Sequence, residues 1–253
     1  MSVERWPHAE LHYFVLSHLD LGADAANLHR ADRDDKPWRG ELEALYRAAP
    51  GRIYLQVIPL YVDDLDTELQ WLRSGRLPAL RDDDSLRAAR LMADVLELEA
   101  REQRPPDARE FGEAFQRQLG VLAELRSHLW ASAQREPPPL TIVDCPSLAS
   151  GRWTHGRGAP LAGSHRVAVA LDTAPVCALT QVLHEEIHPV SDPAVRARFD
   201  DLAQETEAGR PGFELHAAIE QRAIEVGRRL VEAHAPSAWR EVYRAWCGRF
   251  GGG

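Results

Sequence analysis

The sequence predicts a helix-rich α+β fold, on three observations. A stripe at helical spacing opens the chain, with Leu11, Phe14, Val15, His18 and Leu19 on one face, and similar patterns fill most of the first half. Two short runs rich in β-branched and apolar residues, Leu140–Asp144 and His165–Leu171, come later and lead into further helical patterns. Between these two styles stands Pro137-Pro138-Pro139, a hinge or stiff connector. The expected organisation is a mostly helical part over residues 1–136 and a second part over 140–253, either separate or run together as one globule.

In the first part, Leu42, Leu45 and Tyr46 form a shorter helical stripe. Arg52–Tyr61 (RIYLQVIPLY) has the β-branched and aromatic content of a strand, with Pro59 confining it to a sheet edge or cutting it short. A helix is expected over Asp84–Arg101, a break at Pro105-Pro106, and another long helix from Asp107 to about Gln134. In the second part, a Gly/Pro/Ser-rich loop over Cys145–Ser164 separates the two strands. Asp172 or Thr173 can cap the next helix, Pro175 suits its first turn, and Pro189 should end it at His188. After an irregular link, two helices are expected over Gly212–His234 and Ser237–Arg249.

Composition narrows the function classes. The chain has 253 residues, enough for one large core or two small ones, and is 44% hydrophobic and 27% charged, as soluble globular proteins are. A net charge of −9 argues against nucleic-acid binding, which needs a clustered basic surface. The early apolar run Tyr13–Leu16 is far too short for a membrane span or a signal-peptide core. Three widely spaced cysteines, Cys145, Cys177 and Cys247, do not make a disulfide framework. A cytoplasmic protein without membrane or nucleic-acid partners is expected.

The most specific feature is His184-Glu185-Glu186-Ile187-His188, which fits H-E-x-x-H. On a helix, residues four apart lie one above the other, so both imidazoles can reach one ion from the same face. Zinc held there lowers the pKa of a bound water, and Glu185 is placed to take the proton as general base. Glu186 points away from the ion and is expected to be solvated or to support a ligand. The bland alternative is a pair of surface histidines on an ordinary helix.

This segment resembles the zincin superfamily of zinc metallopeptidases, over the second half of the chain at most and specifically only in HEEIH. In the metzincin subgroup a further histidine falls six residues after the second one, with glycine midway. Ala194 and Ser191 stand at those places, so that pattern is excluded. The gluzincin pattern, with a glutamate on a following helix, remains. On the helix Gly212–His234, a wheel at about 100° per residue puts Ile219, Ala223, Ile224, Gly227 and Val231 in one apolar arc together with Glu220 and His216. Glu214, Glu225 and Glu232 fall on the opposite side. Since a carboxylate in an apolar arc needs a partner, Glu220 is the expected third ligand and His216 the reserve. Ala223 and Gly227 would let the metal helix approach closely.

The resemblance also implies an oxyanion-stabilising Tyr, His or Arg, for which Tyr243 and His234 are the downstream candidates. It implies an edge strand that holds an extended peptide, a place His165–Leu171 or Leu140–Asp144 could fill. His155, in a loop, has a weaker claim on substrate. His8 and His12 read as a solvated face, and Cys177 as a small buried apolar residue. The implied function is a zinc metallopeptidase acting on a peptide or protein substrate. The alternatives are a zinc hydrolase of a small amide or ester, and a non-catalytic helical binding protein with structural zinc closed by four protein ligands.

Overall fold

A strand buried on both faces reads as an unbroken apolar run, and HRVAVAL does so because it lies inside a sheet. The structure, a computed structural model, describes residues 1–20, 35–50, 52–75, 82–102, 111–205 and 212–250, and the backbone alone at 53, 196–205, 212–216 and 250. The architecture is helix-rich α+β. Two units divide it, one of Ser2–Glu110 with Leu140–Thr173 and one of Phe111–Pro139 with Ala174–Gly253. Among the described residues no helix is long and apolar enough to cross a membrane.

The first unit carries a four-stranded sheet. Its strands are β1 (Ser2–Glu4), β2 (Leu140–Asp144), β5 (Arg157–Leu161) and β6 (Ser164–Val169), in the order β1-β2-β6-β5. The pairs β1–β2 and β2–β6 are parallel, and β5 runs antiparallel to β6. The β5–β6 hairpin turns through Ala162-Gly163, where Gly163 takes φ +85°, a conformation open to glycine at little cost. The strands expected to form a peptide-holding edge, β2 and β6, are both interior, and the edges are β1 and β5. Pro160 in β5 fits an edge, since it cannot donate to a ladder. The expected loop at Cys145–Ser164 holds β5 and the short pair β3 (Ala149–Ser150) and β4 (Trp153–Thr154).

Helices α1 (Pro7–Ser17), α2 (Arg39–Ala48), α3 (Arg52–Leu55), α4 (Leu65–Ser74) and α5 (Asp83–Glu102) complete this unit. The strand expected over Arg52–Tyr61 is instead α3 followed by a 3-10 turn at Ile58–Leu60. Pro59 stands at the start of that turn, where its missing N–H costs nothing, and its carbonyl bonds His8 Nε2 at 3.1 Å. Burial of Leu55, Ile58 and Leu60 against the helices outweighs strand propensity here. His8 and His12 are not solvated: both are buried, and His12 Nδ1 pairs with the equally buried Glu68.

Among the described residues the second unit is four helices, α6 (Glu113–Ser132), α7 (Pro175–Glu205), α8 (Gly212–His234) and α9 (Ser237–Phe250). The chain does not divide at the proline run as expected. β2 and β6 join a sheet with β1 from the start of the chain, and α6 belongs with the last three helices. The break expected at Pro105-Pro106 lies outside the described residues.

A buried charge ties α6 to α7. Glu186 is fully buried, not solvated, and accepts from Arg126 Nε and, at 3.4 Å, from Trp130 Nε1. Arg126 also donates to the Pro138 carbonyl at 2.7 Å. Breaking such a pair from one side costs about 3–5 kcal/mol, so the two helices are strongly held in register. From the other side, Trp239 Nε1 of α9 donates to Gln118 of α6 at 2.7 Å.

The helix bearing HEEIH does not stop at His188. It continues to Glu205 through Pro189 and Pro193. A proline inside a helix removes one N–H and crowds the carbonyl four residues back, a cost of about 3 kcal/mol that packing must offset. Opposite this helix, α8 presents Gly227: a Cβ there would lie 2.9 Å from Ile187 Cδ1 of α7 and 1.9 Å from the Tyr243 hydroxyl of α9. The helices meet at that bare backbone.

Gly227→Ala is expected to destabilise the fold by about 1–3 kcal/mol, despite alanine's better helix propensity, because a rigid buried ring must move. Among the described residues the buried Tyr243 hydroxyl has no hydrogen-bond partner. Tyr243→Phe alone should therefore be neutral or mildly stabilising, and in the double variant it should recover part of the loss, as read from urea midpoints.

Candidate metal centre

One face of α7 carries Thr180, His184, His188 and Asp192 at spacing four, and α8 sets Glu220 opposite them. His184 Nε2 lies 3.0 Å from Glu220 Oε2, His188 Nε2 lies 3.6 Å from Glu220 Oε1, and the two Nε2 atoms are 3.1 Å apart. Among the described residues, His184, His188 and Glu220 are the group whose donor atoms converge closely enough to hold one ion. The structure thus brings together the three residues singled out in the sequence. Nothing is described of the side chains of His216 and Glu214.

The donor set is compatible with a cation. His184 Nε2 can give a proton to Glu220, or it can accept one from His188, but it cannot do both. With His188 cationic, protons on both Nε2 atoms can point to the Glu220 carboxylate, which leaves the two N–H groups 3.1 Å apart. A tetrahedral shell with zinc–ligand bonds of about 2.0–2.1 Å sets ligand atoms about 3.3–3.4 Å apart, and the three separations here straddle that figure. Two neutral imidazoles and one carboxylate also match the ligand types of catalytic zinc.

The residues around the ligands are organised by the same helix. His188 Nδ1 faces Asp192 Oδ1 at 3.0 Å, which places the Nδ1 proton on that bond and leaves Nε2 facing Glu220. Ser191 Oγ donates to the same Asp192 oxygen at 3.2 Å. Glu185, half-buried, accepts from Gln181 Nε2 at 3.1 Å, and Gln181 Oε1 accepts from Trp246 Nε1 at 3.0 Å. The Trp246 indole, on α9, also lies 4.7 Å from the His184 ring, centre to centre. One residue of α9 thus braces a ligand directly and the general-base candidate through Gln181.

Burial would make the His188 imidazolium less stable, but the hydrogen bond to Asp192 and the charges of Glu185, Glu220 and Asp192 outweigh it and raise its pKa to about 9.

Other candidates stand apart. The Tyr243 hydroxyl meets α8 at Gly227, two turns and about 10 Å along the axis from Glu220, and burial pushes its pKa far above the ordinary range. His234, about 21 Å along α8 from Glu220, stacks on His128 at 3.8 Å. Neither lies at the converging donor atoms. His155 is buried in the other unit, and Cys177 is buried in α7. Asp192 and Gln181 escaped the sequence reading, although their signal was simple: each is four residues from a candidate site residue. Trp246 left no such signal.

No family model, curated protein or solved structure matches the chain.

In the metal-free protein, His188 binds its proton more tightly than in the unfolded chain, whose value is 6.5. That contribution to stability is fully present below about pH 6.5 and is lost as the pH rises through about 9. Metal-free melts should lose on the order of 2–3 kcal/mol of stability across that window. In Asp192→Asn the decline should shrink and move to lower pH, and an unchanged profile in this variant would remove Asp192 as its cause.

Proposed function

We propose that this chain is a zinc-dependent hydrolase, with His184, His188 and Glu220 as metal ligands and Glu185 as general base. The observation that carries the reading is the convergence of two imidazole nitrogens and a carboxylate oxygen, 3.0–3.6 Å apart, on the HEEIH helix and its neighbour. A bound zinc ion supplies Lewis acidity, which acidifies water and polarises a substrate carbonyl.

The protein's own groups do the rest. Asp192 keeps the His188 Nδ1 proton in place, so the ring stays in the tautomer that can ligate. Gln181 holds one oxygen of Glu185, leaving the other to take a proton from the attacking water and return it to the leaving group. Trp246 fixes the Gln181 amide orientation, because its N–H needs the amide oxygen on its side. Glu186 takes no part at the ion, being spent on Arg126. A peptide bond in a peptide or protein is the substrate the motif resemblance favours. A small amide or ester would be hydrolysed by the same groups, and a substrate screen separates the two. A cytoplasmic setting accords with the absence of a disulfide framework.

Elemental analysis of tag-free protein should find about one zinc per chain, with a large loss in Glu220→Ala and little loss in His216→Ala. Equal losses in the two variants would instead indicate a four-ligand structural site. Glu185→Gln should keep its zinc while hydrolysis of a quenched-peptide library falls about 10²–10⁴-fold. Full turnover in that variant would remove Glu185 as the base.

A further inference from the structure

A histidine that gives Nε2 to a metal must carry its proton on Nδ1, and ligand histidines almost always pass that proton to an acceptor. The two candidate ligands differ in this respect. His188 has Asp192, four residues on, 3.0 Å from its Nδ1. The His184 Nδ1 is buried and has no hydrogen-bond partner among the described residues, in a side chain only 5% exposed. Water cannot reach it, and its ring is covered by Trp246.

A second orphan lies one turn away. The Thr180 hydroxyl is also buried and without a partner among the described residues, and Thr180 itself is fully inaccessible. Residues four apart on a helix have Cβ atoms about 5–6 Å apart, and side chains lean towards the N-terminus. The lean that carries Asp192 onto His188 tilts His184 over Thr180. Two unsatisfied polar groups seldom share one buried helix face without a reason, because each leaves a hydrogen bond unmade.

We propose that Thr180 is the positioning residue of His184, accepting the Nδ1–H hydrogen bond when zinc occupies Nε2. This rests on the zinc reading of the site. In that pairing the hydroxyl proton can go to the carbonyl four residues back. In the metal-free protein neither group has a hydrogen-bond partner among the described residues. The face of α7 then reads as acceptor, ligand, ligand, acceptor at 180, 184, 188 and 192, with each ligand held from its outer side.

The test uses zinc alone. Zinc dissociation constants, from competition with a chelator of known affinity, are measured for the wild type, Thr180→Val and Thr180→Ser. Metal-free melts are recorded alongside. Valine has the shape of threonine without the hydroxyl, so Thr180→Val should weaken zinc binding about 10-fold or more. Its metal-free melting temperature should stay the same or rise, because a buried orphan has been removed. Thr180→Ser, which keeps the hydroxyl, should bind within about twofold of the wild type. Equal affinity in Thr180→Val and the wild type overturns the proposal, as does equal weakening in both variants, which would mark a packing effect. A wild type that takes up no zinc overturns the metal reading itself, a different failure.

Discussion

Two imidazoles and a carboxylate, their donor atoms 3.0–3.6 Å apart and one ring nearly inaccessible to solvent, need a proton or a cation among them. Two further contacts set α7 against its neighbours. Gly227 lets α8 close on Ile187 and on the Tyr243 ring without a Cβ in the way, and Glu186 locks the opposite face of α7 to Arg126 on α6. The second residue of HEEIH after the first histidine thus serves the scaffold, and the first serves the chemistry proposed for the site. Adjacent positions on a helix point about 100° apart, so one motif faces two neighbours at once.

The same rotation explains the continuation of α7 beyond its motif. Pro189 and Pro193 each deprive the helix of a hydrogen bond, yet the helix runs on to Glu205. Its continuation places Asp192 exactly one turn beyond His188, where a chain leaving the helix at Pro189 would have pointed it elsewhere. Packing of the helix within the four-helix unit outweighs the proline cost, and one consequence is a carboxylate on the outer nitrogen of the second ligand.

Much of the centre was legible because helical spacing is a strong local rule. His184, His188 and Glu185 follow from the motif, and Glu220 follows from a wheel that places a carboxylate among Ile219, Ala223 and Val231. What was not legible came from competition between local and tertiary forces. Arg52–Tyr61 has the composition of a strand, but its apolar side chains found a helical core first. Reading Pro189 as a stop hid Asp192, since only a continuing helix puts it beside His188. The grouping of the chain was hidden for another reason. The partner of Ser2–Glu4 lies some 140 residues away in β2, and no local pattern announces a parallel strand pair of that kind.

Charge ties these features together. Glu185, Asp192 and Glu220 surround His188, and without a cation they make it hold its proton to about pH 9. The field that does this is the field a dication would meet. Protons and metal therefore compete for one nitrogen, and the carboxylates favour both. Protons on both Nε2 atoms would satisfy the two contacts to Glu220 but set two N–H groups 3.1 Å apart, whereas an ion among the donors would meet all three. Asp192 also acts on the two states unequally. Its bond to Nδ1 persists when the ion is present, and it then faces a neutral ring polarised by the metal, a stronger donor than a free imidazole. The spacing of the three donor atoms is compatible with a cation in the place that protons can also fill.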